Sequence, residues 1–337
     1  MVSAVASAQT KSWDYQSGGR WEQVQQLTTA PAAPASDPTL DRVEQLISAG
    51  RNSQARTLAL KWFKTHRDHP LVDRCLFLIA QAEDRVGDPI RAFYYLDQLL
   101  DEHPETRLYA AAMQKQYNIA DAYLRGRKRK LLGFPILTAE DEAIEMMYRV
   151  QQRSPQSPIA ERSLLRTADY YFGDRQYDLA EDAYGAFIRQ FGRSPSVPAA
   201  RLKQAYSAYA QFHGPLFEVT PLIDARERLA MVVAEYPELA RRENIPAMLE
   251  QIDAVMARKL FLRGDFYRRT HEPQAAAYSY RYLLKAYPNS ADAPKAQARL
   301  MKLPLWAREL PEPKVQQDAA ALRSPQEPMM PKMGRRS

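Results

Sequence analysis

The chain has 337 residues, 45% of them apolar, with 47 basic and 40 acidic side chains that leave a formal charge of +7. Its one cysteine, Cys75, excludes an internal disulfide, and a modest basic excess over so long a chain does not point to nucleic acid. Few Gly, many Ala, Leu, Arg and Gln, and almost no alternating β-branched runs predict an all-helical protein.

Residues 1–9, Met1 to Gln9, read as the remnant of a secretion signal. Ala6 and Ala8 have the small-x-small spacing of a cleavage site, but the basic start and apolar stretch are missing. Either the start lies upstream and the protein is exported, the reading favoured here, or the match is chance. Residues 10–38 form an N-terminal arm and a Pro-rich linker. Trp13, Tyr15 and Trp21 flank Gly18-Gly19, which fits a small hairpin, packing on the first repeat, or a flexible arm.

Helical pairs then follow from 39 to 303. They are Leu40–Ser48 with Ser53–His66, Leu71–Val86 with Pro89–Glu102, and Glu105–Arg125 with Ala139–Arg153. Next come Ile159–Phe172 with Gln176–Phe191, Val197–Phe212 with Val219–Tyr236, and Ile245–Arg269 with Pro273–Tyr287. Ser290–Leu303 is expected to cap the last apolar face, and the polar tail 304–337 to be disordered.

A fixed spacing ties the pairs together. Twelve residues before each helix-ending Pro stands an Ala, and eight before it a large apolar residue: Ala92, Leu96, Pro104; Ala143, Met147, Pro155; Ala225, Leu229, Pro237; Ala276, Tyr280, Pro288. Ala180 and Tyr184 keep the frame with Gly192 as the stop. The Ala lets the second helix cross the first closely, and the large residue fills the space between hairpins. Pro70 to Pro104 spans 34 residues, the tetratricopeptide period. The expected fold is therefore an all-α, tetratricopeptide-type, right-handed superhelical solenoid of about six hairpins plus a capping helix.

Two insertions, 126–138 and 213–220, separate the helices of the third and fifth hairpins. In the first, Arg127, Lys128, Arg129, Lys130 and Phe134 make a candidate contact for an acidic partner or lipid headgroups. Against that stands packing of its apolar residues on their own hairpin, with the basic residues in water. Tyr109, Tyr117, Tyr123, Tyr206 and Tyr209, on first helices, are candidates for lining a peptide groove. Other aromatics at helical spacing, such as Tyr94-Tyr95 and Tyr170-Tyr171-Phe172, read as interior packing.

No nucleotide-binding, hydrolase or zinc-protease motif occurs. His66 and His69 lack a completing Cys or carboxylate, so neither a metal nor a cofactor is expected, and an enzyme is not. A peptidoglycan- or nucleotide-processing enzyme would need paired acids in a pocket, and no spacing demands one.

The run Ala275-Ala276-Ala277-Tyr278-x-x-x-Tyr282-Leu283-x-x-x-Tyr287-Pro288-Asn289-Ser290, with Tyr184-x-x-Phe187-Ile188-x-x-Phe191, resembles the BamD-like lipoproteins of the outer-membrane β-barrel assembly machinery. The resemblance covers roughly residues 40–303. It implies an adaptor in the periplasm or on the periplasmic face of the outer membrane. Its N-terminal repeats would receive unfolded outer-membrane proteins, and its C-terminal repeats would dock the periplasmic domains of the barrel-forming subunit. Family members carry a lipidated Cys after the signal, whereas Gln9 follows here, so a lipid anchor is not expected from these residues. The alternative is a periplasmic repeat adaptor of cell-wall or cell-division complexes.

Overall fold

A computed structural model describes residues 9–16, 20–27, 36–131, 134–137, 139–215 and 217–308. Among them, fifteen helices and two two-stranded antiparallel ribbons make up the regular structure. The chain divides into two compact units, 1–211 with 227–239, and 212–226 with 240–337.

Unit 1 is a run of helical hairpins: α1 (Pro38–Ser48) with α2 (Asn52–Thr65), α3 (Val72–Val86) with α4 (Pro89–Glu102), and α5 (Tyr109–Leu124) with α6 (Glu140–Arg153). The run continues with α7 (Pro158–Gly173), α8 (Tyr177–Gln190) and α9 (Val197–Ala210). Each of these helices packs on the next, and first helices also touch across hairpins, α1 on α3, α5 on α7 and α7 on α9. One apolar core runs from Leu40 to Val150, and a second joins Leu164, Tyr184, Phe187 and Ala200. The division between units passes through α10 (Thr220–Glu235) and α11 (Pro237–Arg242). Unit 2 contains α12 (Ile245–Arg269), α13 (Pro273–Ala286), α14 (Ala293–Met301) and α15 (Leu305–Arg308) around a core of Phe261, Tyr280, Leu283 and Leu300.

Local chemistry sets the helix ends. Asp37 caps α1 by accepting from the amides of Thr39 at 2.8 Å and Leu40 at 3.1 Å, while its other oxygen accepts from the Trp62 indole at 3.2 Å. Asp88 and Ser157 cap α4 and α7 in the same way, each with Pro in the first turn, where a missing amide donor costs nothing. Gly87 ends α3 at φ 100°, a left-handed conformation that other residues adopt only with strain.

The fixed-interval residues all lie in the interior: Ala92, Leu96, Ala143, Met147, Ala180, Tyr184, Ala225, Leu229, Ala276 and Tyr280 are each 0% exposed. Gly264 on α12 shows why a small residue faces the crossing, since a Cβ there would drive into the Tyr280 ring. Cys75 is likewise fully buried, and burial together with the nearby Asp37 charge pushes its thiol up to about 12, which keeps it inert.

Several boundaries differ from those expected. The third hairpin's first helix begins at Tyr109 rather than Glu105, because residues 104–108 form the turn that carries Thr106 against Asp73. The capping helix begins at Ala293, and α11 begins at Pro237, that Pro serving as a first-turn residue. Leu305–Arg308, expected in the disordered tail, is a helical turn with Ala307 buried. Residues 1–8, the bulk of the signal-like segment, and 309–337 lie outside the described residues.

Two departures from all-helical structure occur, one before the first hairpin and one between the helices of the third. β1 (Gln9–Gln16) and β2 (Arg20–Leu27) pair with Tyr15 opposite Trp21 and Trp13 opposite Gln23, the hairpin among the three readings of the arm. β3 (Arg129–Leu131) and β4 (Phe134–Leu137) form a ribbon within the third hairpin, with an irregularity between Arg129 and Lys130.

Candidate interaction surfaces and the joints between repeats

The joints between successive hairpins are polar at fixed places. Asp169 on α7 accepts from the Tyr184 hydroxyl on α8 at 2.6 Å and from Lys203 on α9 at 2.7 Å. Asp265 on α12 repeats this arrangement, accepting from the Tyr280 hydroxyl at 2.8 Å with Arg268 at 3.2 Å and Arg299 on α14 at 3.7 Å. In the third hairpin Asp121 on α5 takes Arg166 of α7 at 2.6 Å and also pairs with Arg125. Each joint thus places a carboxylate of a first helix toward the first helix of the next hairpin or, at the end of the run, toward the capping helix. A buried charge persists only when paired in this way.

Titration follows from this geometry. Burial, and then the bond to Asp265, pushes the Tyr280 phenol up to about 12; the Tyr184 phenol is raised for the same reasons. Burial alone would raise the Asp265 carboxyl. Hydrogen bonds from Tyr280 and Arg268, with the charges of Arg299 and Arg268, outweigh it and hold that carboxyl below its ordinary value.

On the second helices of the second and third hairpins, an open groove of about 750 Å³ runs between α4 and α6. Asp97 at its base is 8% exposed and accepts from Arg153 at 2.5 Å, Arg149 at 3.0 Å and Gln116 at 3.1 Å. Tyr94 and Tyr148 are 52% and 55% exposed, and the Arg149 guanidinium sits 6.0 Å from the Tyr94 ring. Tyr94 was expected inside; position 94 lies on the outer face of α4, beside the buried Phe93.

The candidate groove tyrosines separate into two kinds. Tyr109, Tyr117, Tyr206 and Tyr209 are half-buried. Tyr109 donates to the Arg153 carbonyl at 3.4 Å, and Arg162 lies 5.1 Å over the Tyr117 ring. Tyr123 is 2% exposed, so it belongs to the core rather than to a groove surface: near the end of α5 its ring is covered by Arg127, 5.9 Å away. In the basic insertion, Arg127 and Lys128 are exposed, and Arg127 is 3.4 Å from Asp84. Arg129 and Lys130 lie on β3 and Phe134 on β4, and their side chains fall outside the described residues.

His66 stacks on Trp62 at 4.7 Å and meets His69 edge-on at 6.0 Å, an aromatic packing cluster. Among the described residues no group of three or more His, Cys, Asp or Glu is placed to hold a metal ion. No described helix is long and apolar enough to cross a membrane.

No curated protein matches this chain. Among solved structures, a tetratricopeptide repeat protein from Parabacteroides merdae is 14% identical, covering 78% of this chain and 98% of its own, with a TM-score of 0.33. PilF of Pseudomonas aeruginosa is 14% identical, with 77% and 96% covered and a TM-score of 0.28. At these scores neither carries weight beside the hairpins themselves. A family model does match: YfiO, described as an outer membrane lipoprotein, over residues 138–320, more than half of the 337 residues. The match takes in α6 to α15, where the Tyr184 and Tyr280 joints lie, and the chain belongs to this YfiO, or BamD-like, family.

Proposed function

We propose that the chain is a non-catalytic protein-binding scaffold for outer-membrane β-barrel assembly, working on the periplasmic face of the outer membrane. The observation that carries this reading is the family match over 138–320, together with a repeat architecture whose polar residues are spent on joining hairpins. In this reading unit 2 docks the periplasmic domains of the barrel-forming subunit, and the first helices of unit 1 receive unfolded barrel polypeptide. Well-packed hairpins suit such work, since a receptor ordered beforehand spends little binding energy on its own ordering. The 126–138 insertion is assigned an accessory contact with an acidic partner or headgroups. A periplasmic adaptor of cell-wall or cell-division complexes would use the same scaffold with other partners.

Crosslinking in the native host, followed by identification of the attached proteins, tests the reading. Barrel-assembly components are expected among them. Consistent recovery of cell-wall or division proteins in their place would transfer the assignment to the alternative.

A further inference from the structure

In four hairpin joints a cation stands eleven residues after the Pro or Gly that ends the preceding hairpin. These are Lys115 after Pro104, Arg166 after Pro155, Lys203 after Gly192 and Arg299 after Pro288. Three have a carboxylate waiting on the earlier first helix: Asp121 for Arg166 at 2.6 Å, Asp169 for Lys203 at 2.7 Å and Asp265 for Arg299 at 3.7 Å. Asp169 and Asp265 each precede their cation by 34 residues. Counting back 34 from Lys115 reaches Gln81, and the place of Tyr184 and Tyr280 is taken by Leu96. The second hairpin has kept the cation and lost both of its partners.

The consequences are visible around Lys115. Among the described residues its ammonium makes no hydrogen bond or ion pair, and its near neighbour is the Phe77 ring, 5.9 Å away. Burial lowers its pKa, with the Asp84 charge acting in the opposite direction. Beside it, between α3, α4 and α5, lies a cavity of about 100 Å³ lined by Leu96, Asp84, Asn118 and Arg127. Asp84 is already matched by Arg127 at 3.4 Å, so the joint retains the one positive charge of Lys115. Asn118 and Arg127 are exposed, which opens the cavity to solvent. A small anion-sized space beside a half-buried ammonium that no described carboxylate contacts directly, with Asn118 and the Asp84-paired Arg127 at its rim, describes a receptor for a carboxylate.

We propose that the joint at Lys115 binds a carboxylate of an extended polypeptide, supplying from outside the partner that Asp169 and Asp265 supply in later repeats. Lys115 anchors the carboxylate and Asn118 and Arg127 flank it. The proposal rests on the reading of unit 1 as a polypeptide receptor; the carboxylate is either an acidic side chain or a chain terminus.

The test uses the full chain, with lysine side chains isotopically labelled for NMR, and two variants. Lys115→Met removes the anchor, and Gln81→Asp restores the internal carboxylate. Sodium acetate is expected to raise the Lys115 pKa in wild type and to have little effect in Gln81→Asp, where that pKa is already raised. Three hexapeptides of one acid-free sequence follow: amidated, free at the C-terminus, and amidated with a central Glu. At least one carboxylate peptide should bind roughly ten- to hundredfold more tightly than the amidated one, and each variant should abolish the difference. Which peptide gains identifies the source of the carboxylate. Peptides that bind alike to wild type and both variants would overturn the subsite and leave the polypeptide reading of unit 1 intact. A response to acetate with no peptide binding would overturn the polypeptide occupant and that reading with it.

Discussion

The second hairpin and the last one bury the same frame of residues and close their joints differently. In the last, Tyr280 fills the crossing beside Gly264 and hands a hydrogen bond to Asp265, which Arg299 then pairs. In the second, Leu96 is equally buried but carries no hydroxyl, Gln81 carries no charge, and Lys115 is left beside a cavity. The comparison teaches that the apolar half of a joint suffices to hold a hairpin, while the polar half decides whether the joint is sealed. A satisfied buried network adds rigidity, and a half-occupied one is available to a ligand.

Removing the ring should separate the two joints most strongly. Tyr280→Ala leaves a cavity and takes a hydrogen-bond donor from Asp265, and is expected to destabilise unit 2 by about 3–5 kcal/mol. Urea unfolding monitored by hydrogen exchange in α12 and α13 measures this; a loss confined to a few tenths would show that the ring is not what holds this crossing.

Filling the crossing from the other side is a smaller perturbation. Gly264→Val sets a branched side chain against the Tyr280 ring and should cost about 1–3 kcal/mol, read in the same unfolding curves. In a Tyr280→Leu background, which imitates the second hairpin, the cost should shrink, because the ring that resists is gone. An equal cost in both backgrounds would mean that α13 backbone, and not Tyr280, sets the limit.

The smallest effects are in the pH dependence. Asp265 titrates below its ordinary 3.8 when folded, so it contributes stability above that pH and loses it as pH falls through the lower folded value. Tyr280 is raised from 10.0 to about 12, so its contribution is complete below pH 10.0 and disappears as pH rises toward about 12. Asp265→Asn should flatten the acid limb, and Tyr280→Phe the alkaline one. Lys115 is lowered by burial and should act with the opposite sign: its cost to the second hairpin is present while it is charged and is relieved as pH rises through its folded value. Hydrogen exchange across pH, resolved by helix, distinguishes the two.

The outcome for particular residues shows what kind of information a sequence holds. Helix ends at Gly87, Pro89 and Pro273 were legible because capping and proline chemistry act within one turn. The interior positions Ala92, Leu96, Tyr184 and Tyr280 were legible because a repeat writes its packing at a constant interval. Tyr123 belongs to the core, although its place on a first helix fits a groove lining equally well, because helix membership leaves open which way a side chain faces. The short helices α11 and α15 were missed because each is too brief to show a period.

By itself the sequence determined that this protein is built of helical hairpins and which small and large residues lie where they cross, since periodicity and capping are local rules. The pairing of Asp169 with Lys203 and Asp265 with Arg299, and the lack of such a pairing at Lys115 among the described residues, emerged only once side chains 34 residues apart were brought within reach. Charge neutralisation depends on distance in space, and a chain's order does not state that distance until the hairpins are stacked.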